Sequence, residues 1–259
     1  CDIIYLLDLI LNFLYSNNDL VCTKYKSRAF LLFCNNFLIS FLFLHLDNSC
    51  IIFSKFINTS KRTDKSMRQN IGILHLSDIH ASSSSKTTVQ RLVKLLQEDL
   101  LEMKKTHNFS VDAICITGDL IASGDCAEEE LQIVYSDFIQ PLIESENMSE
   151  NKIFVVPGNH EIKRSKIVDY IETGLSSTLT TEDEIAKFMN SPQSYALERI
   201  DYFNKDFGDL FGGAIISSND FYHSHIIEVK GLKIGIACVN SSWRSSGKGG
   251  MEKGKIIIG

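Results

Sequence analysis

Three short stretches of the sequence carry side chains that could do chemistry together: Asp78–His80, Gly118–Asp119 and Gly158–Glu161. A carboxylate and an imidazole two residues apart can turn toward one point, and this pair suits zinc, manganese or iron better than calcium. An Asn carbonyl oxygen beside an imidazole suits a hydrolytic metal site, where one residue binds metal and the other passes protons. Each stretch alone is also compatible with an ordinary loop. Three of them in order, each ending an apolar run, form a strong signal.

The apolar runs before these stretches predict three buried strands, over residues 71–77, 111–117 and 153–156. Apolar residues at helical spacing predict an amphipathic helix after each of the first two strands. Alternation of strand and helix indicates a parallel sheet whose carboxyl ends lie side by side, where open α/β sheets bind ligands. Five side chains are therefore expected to converge there: Asp78, His80, Asp119, Asn159 and His160.

In type, order and spacing, these stretches resemble the first three signature blocks of the calcineurin-like metallophosphoesterase family, over about residues 71–162. The resemblance implies an α/β fold, a two-sheet sandwich flanked by helices, and a hydrolase with two divalent metal ions (manganese, iron, zinc or a mixture). Asp78 and His80 would bind one metal, Asp119 would bridge both, and Asn159 would bind the second. His160 would protonate the leaving oxygen. The implied reaction is hydrolysis of a phosphomonoester or phosphodiester by a water activated by the two metals.

The sequence also departs from the family pattern. Later blocks of the family supply further metal-binding histidines, whereas after the third stretch this sequence offers only His223 and His225. No glycine precedes this pair, and residues 221–229 alternate like the first strand of a hairpin that returns through 232–239. We expect the missing histidines to lie beyond Gly259, in a domain truncated at its C-terminus. The alternative function is a catalytically incompetent fragment or a binding module with too few metal ligands.

The composition changes sharply near residue 66. Residues 1–66 contain no Gly, Pro, Glu, Gln, Met or Trp, and all 15 glycines lie from Gly72 onward. We favour the interpretation that residues 1–66 are not native protein but a translation of AT-rich upstream DNA, with Met67 as the true start of the protein. A membrane anchor over residues 29–46 is the alternative, although it would place polar side chains in hydrocarbon. A signal peptide is not favoured, because no small-residue cleavage site follows the apolar run. The expected domains are the apolar segment 1–66 and the phosphoesterase domain 67–259.

Charge and cysteine content limit the partners and the compartment. The net charge of −6 gives no broad basic field, so non-specific binding of nucleic acid is not expected. The seven cysteines are scattered, with no Cys-x-x-Cys step, and indicate neither a disulfide framework nor a structural zinc site. Free thiols favour the cytoplasm, and a membrane location follows only if residues 1–66 are a native anchor. The expected partner is a phosphate ester of unnamed class.

Overall fold

A computed structural model describes residues 27–34, 37–44, 71–191, 194–206, 215–218 and 220–246, with the ranges 27–34, 37–44 and 215–218 described as backbone only. Eight strands form two sheets in the described part of the chain. In chain order the strands are β1 (Ser27–Cys34), β2 (Phe37–Leu44), β3 (Ile73–Leu76), β4 (Ala113–Ile116), β5 (Ile153–Val155), β6 (Ile215–Ser218), β7 (Tyr222–Val229) and β8 (Leu232–Val239).

The parallel sheet has the order β3-β4-β5, with Ile73 opposite Ala113 and Ile114 opposite Ile153. This is the sheet that the three apolar runs predicted. Its strands are shorter than the runs, because the chain turns away from the sheet where the polar stretches begin.

Helices connect the parallel strands, as the apolar spacing predicted. Helix α1 (Lys86–His107) buries Val89, Val93, Leu96 and Leu100 against the sheet. The second crossover comprises α2 (Ala127–Ile133), a π-helical segment (Val134–Ile139) and α3 (Gln140–Glu146), which follow one another without a break. Proline at the start of α3 has no N–H to donate to the preceding turn, which favours the wider π-helical turn there.

The antiparallel sheet has the order β2-β1-β8-β7-β6. Strands β7 and β8 form the predicted hairpin, and its turn places Lys230 and Gly231 at positive φ of 51° and 75°. Two residues of positive φ match the twist of a tight hairpin. The backbone of β1 pairs with β8 from Leu31 opposite Ala237 to Cys34 opposite Ile234. The assignment of residues 1–66 as non-native or as an anchor stays a prediction.

The two sheets face each other, and the helices α1 to α3 cover the other face of the parallel sheet. On β4, Ile114 and Ile116 belong to the helix-side core, whereas Ala113 and Cys115 pack toward the antiparallel sheet. Alternation of side chains along each strand produces these two faces. The predicted α/β sandwich flanked by helices is thus confirmed. No helix among the described residues is both long and apolar enough to cross a bilayer.

A smaller helical cluster follows the parallel sheet and packs around Trp243, which is fully buried and lies 4.9 Å from the ring of Phe221. Its helices are α4 (Asp169–Thr178), α5 (Glu182–Asn190) and α6 (Ser194–Leu197). Helix α7 (Asp201–Asp206) follows them and packs with the helix-side core through Tyr202 and Phe203. The Tyr202 hydroxyl donates to the backbone carbonyl of Glu161 at 2.5 Å, which ties α7 to the loop that follows β5.

Candidate metal centre

The loops after β3 and β4 hold three residues in the left-handed region: Asp78, His80 and Asp119, with φ of 61°, 49° and 54°. This conformation costs a residue with a Cβ about 1 kcal/mol. The two loops stabilise each other through backbone bonds. The Asp78 N–H donates to the Gly118 carbonyl at 3.1 Å, and the His80 N–H donates to the Asp119 carbonyl at 3.0 Å. The turns bring both carboxylates to the same edge of the sheet.

One ligand atom from each of Asp78, His80 and Asp119 lies within 4.8 Å of the other two. The His80 Nε2 atom lies 3.7 Å from a carboxylate oxygen of Asp78. The Asp78 carboxylate, which accepts a proton-sharing contact from the His80 ring, raises the pKa of the His80 imidazole, as do the negative charges of Asp119 and Glu161, while partial burial acts in the opposite direction. The group therefore attracts positive charge, and two carboxylates with one imidazole fit a borderline divalent cation. The ligand roles of these residues stay a prediction.

His160 joins this group from the loop after β5. Its N–H donates to Asp119 Oδ1 at 3.1 Å, and its ring lies 4.4 Å from the ring of His80, edge to face. The Nδ1 atom lies 2.8 Å from the backbone carbonyl of Ala122. Because a carbonyl only accepts, Nδ1 must carry a hydrogen, and the proton that the ring can gain or release belongs to Nε2.

Asn159 lies half-buried between two anchored neighbours. The Gly158 N–H donates to a Glu161 carboxylate oxygen, and the backbone of His160 is bound to Asp119. The structure therefore places the backbone of Asn159 at the same edge as the other predicted ligands.

Glu161 is fully buried, and four backbone N–H groups donate to its carboxylate at 2.5–3.1 Å. Asp119 and Gly158 donate to Oε2, while Leu120 and Ile121 donate to Oε1. Burial and the charge of Asp119 raise the pKa of Glu161 to about 7, and the N–H donors act in the opposite direction. Since both oxygens accept two bonds, the ionised form fits this site.

The role of Glu161 was missed by sequence reasoning, which placed it in the third stretch without a function. It clamps the loop after β4 onto the loop after β5 and so sets the position of Asp119. An acid directly after a buried strand and a sharp turn was the available signal.

Gly124 is a second missed residue of this clamp. Its N–H donates to the carbonyl of His160 at 2.7 Å. A Cβ at this position would lie 2.5 Å from the carbonyl carbon of Ile162, so only glycine allows the two backbones to approach this closely.

The group of Asp78, His80 and Asp119 lies at the carboxyl edge of the parallel sheet, here called the loop edge. His223 and His225 do not join it. They lie on β7 and group instead with Cys238 on β8. His75 is buried on β3, and its Nε2 atom forms a hydrogen bond of 2.8 Å with the Thr117 hydroxyl. Burial lowers the pKa of His75 to about 4, so its imidazole is neutral at neutral pH.

Comparison with known proteins identifies the family. The family model of the calcineurin-like phosphoesterases matches residues 71–251, and the chain belongs to that family. It is 24% identical over 187 residues to an uncharacterized metallophosphoesterase-like protein, YydB, of Bacillus subtilis, a match that covers 72% of this chain. The chain spans about a third of that relative, since the match covers 36% of its length. No solved structure matches the chain.

Family membership implies metal-dependent hydrolysis of phosphate esters in general, and members usually bind divalent metals. The group formed by Asp78, His80 and Asp119 is a candidate for such a site.

Proposed function

We propose that this chain hydrolyses a phosphomonoester or a phosphodiester with two divalent cations bound at the carboxyl edge of the parallel sheet. The single observation that carries the proposal is the meeting of Asp78, His80 and Asp119 within 4.8 Å, in a chain of this family. The three residues come from two loops separated by a helix, so sequence proximity alone does not bring them together.

Each residue has a role that its position supports. Asp78 and His80 would hold the first cation, Asp119 would contribute to holding both, and Asn159 would hold the second. A bound pair of cations supplies an activated water and neutralises negative charge in the transition state. Glu161 keeps Asp119 in place through the backbone, because its carboxylate binds the N–H groups of residues 119–121.

His160 is the proposed general acid, which protonates the leaving oxygen. Its Nδ1–H is held by the carbonyl of Ala122, which fixes the ring and leaves Nε2 to protonate the leaving oxygen. The ring is half-buried, so a substrate at the edge of the sheet can reach it. Proton transfer from a positioned imidazole typically contributes about 10²–10⁴-fold to the rate.

The test uses the metal-depleted chain of residues 1–259, to which Mn²⁺ is returned. We expect hydrolysis of bis(p-nitrophenyl) phosphate or of p-nitrophenyl phosphate, and the preference between them separates a diesterase from a monoesterase. Asp119→Asn should lower the rate at least about 10³-fold, since it removes a charged ligand from the reaction centre. Asp99→Asn, an exposed carboxylate on α1, is the matched control and should leave the rate unchanged. Equal rates for wild type and Asp119→Asn would contradict the proposal.

One observation favours a binding module as the second candidate. The described residues at this edge offer three clustered ligands and the nearby Asn159, fewer than two closed coordination shells require. Mn²⁺ binding that Asp119→Asn abolishes, measured by electron paramagnetic resonance, together with no turnover of either substrate, would support this alternative.

A further inference from the structure

A second group of metal ligands lies between the two sheets. His223 and His225 are two residues apart on β7, so their side chains share one face of the strand. Cys238 on β8 is the register partner of His223. One ligand atom from each of the three residues lies within 4.8 Å of the other two.

The surroundings of this group are apolar. The exposed fraction of His225 and of Cys238 is 1% each, and His223 is half-buried. The ring of His225 lies 5.2 Å from Phe154 of the facing sheet and 5.0 Å from the ring of His223. The group contains no carboxylate, in contrast to the group at the loop edge.

The donor atoms fit a soft or borderline cation. Two imidazole nitrogens and one sulfur suit zinc, whereas magnesium and calcium require oxygen ligands.

Zinc binds cysteine as the thiolate, so binding at Cys238 would release the thiol proton to water.

We propose that His223, His225 and Cys238 bind one zinc ion between the sheets, separate from the metal centre at the loop edge. The three residues leave one position of a tetrahedral zinc shell to a further ligand. The site is independent of the proposed hydrolysis, because none of its ligands belongs to the group around Asp119.

Cobalt(II) distinguishes this site from the catalytic one, because only a cysteine ligand gives a thiolate-to-cobalt charge-transfer band. The metal-depleted full chain is titrated with Co²⁺. We expect the band to saturate at one ion per chain, to disappear on adding Zn²⁺ and to remain in Asp119→Asn. Cys238→Ser should abolish it, while Cys126→Ser, at an exposed position, should retain it.

The zinc affinity of Cys238→Ser should fall at least about 100-fold, since loss of outer-shell partners alone costs about 10–100-fold. X-ray absorption of the zinc-loaded wild type avoids any question of variant folding. It should show a sulfur scatterer at about 2.3 Å. A zinc shell of nitrogen and oxygen only, or a cobalt band unchanged in Cys238→Ser, would overturn the proposal.

Discussion

The helix-covered face of the parallel sheet is apolar and regular, whereas the loop edge of the same sheet is charged and strained. The face consists of apolar side chains such as Leu76, Ile114 and Ile116, each at most 1% exposed. The edge carries Asp119 in a left-handed conformation and the buried carboxylate of Glu161. The two regions are neighbours along the chain, since Asp119 follows Ile116 by three positions. The face stabilises the fold, whereas the edge costs free energy.

The difference shows why the clamp around Glu161 is necessary. Like charges and left-handed backbone each cost free energy, and they persist only where the surroundings fix them. The four N–H donors to Glu161 and the paired loops supply that constraint. The regular face below holds the strands that carry these loops.

The largest effect on stability is expected on the face. Ile116→Ala should lower the free energy of unfolding by about 4 kcal/mol, because it removes a fully buried side chain and leaves a cavity. Urea unfolding in the presence of a chelator measures this change. Leu95→Ala, an exposed position on α1, should change it by less than about 0.5 kcal/mol. A loss below about 1 kcal/mol for Ile116→Ala would show that the face is not the source of stability.

Glu161→Gln should come next, with a loss of about 3 kcal/mol. The amide nitrogen would face two N–H donors that now bind a carboxylate oxygen. Because Asp119 would also lose its support, Mn²⁺ affinity measured by calorimetry should fall about 10–100-fold. Glu129→Gln, an exposed acid on α2, is the control. Unchanged stability and unchanged affinity in Glu161→Gln would show that the Glu161 carboxylate does not hold the two loops together.

The pH dependence of stability should reflect the buried histidine of β3. The pKa of His75 is about 4 in the folded chain and about 6.5 when unfolded, so the unfolded chain binds more protons between these values. Stability is therefore present above pH 6.5 and lost as the pH falls; between pH 7 and pH 5 the loss is about 2 kcal/mol. His75→Gln should remove this part of the loss in urea unfolding at the two pH values. His107→Gln, at the exposed end of α1, should leave the loss as in wild type, and an equal loss in both variants would contradict the assignment.

The smallest effect has the opposite sign. Asp119→Asn should raise the stability of the metal-depleted chain by about 1 kcal/mol, since it removes a charge beside Glu161, while Asn tolerates left-handed backbone as Asp does. The Asn oxygen can still accept the His160 N–H. Thermal unfolding with and without Mn²⁺ measures the change, with Asp99→Asn as the control. Destabilisation by more than about 1 kcal/mol would show that the edge is not strained by this residue.

The periodic parts of the chain were predictable because they depend on local patterns. Apolar runs and helical spacing gave the order of β3, α1, β4 and β5, and two turn residues gave the hairpin of β7 and β8. The convergence of Asp78 and Asp119 followed from parallel strands having adjacent ends.

Contacts between distant residues were not predictable in the same way. Glu161 accepts from Leu120, 41 positions earlier, and Gly124 is required by its approach to Ile162. Scattered cysteines gave no sign of a zinc site, yet strand pairing places Cys238 opposite His223. Such contacts depend on register and loop geometry, which local patterns do not specify.

Anomalous diffraction from crystals grown with Mn²⁺ shows whether two cations bind at the loop edge. Two peaks are expected at the loop edge, one against Asp78 and His80 and one against Asn159, with Asp119 in contact with both. Peaks elsewhere on the molecule, with none touching Asp78 or Asp119, would show that these residues do not form the metal centre.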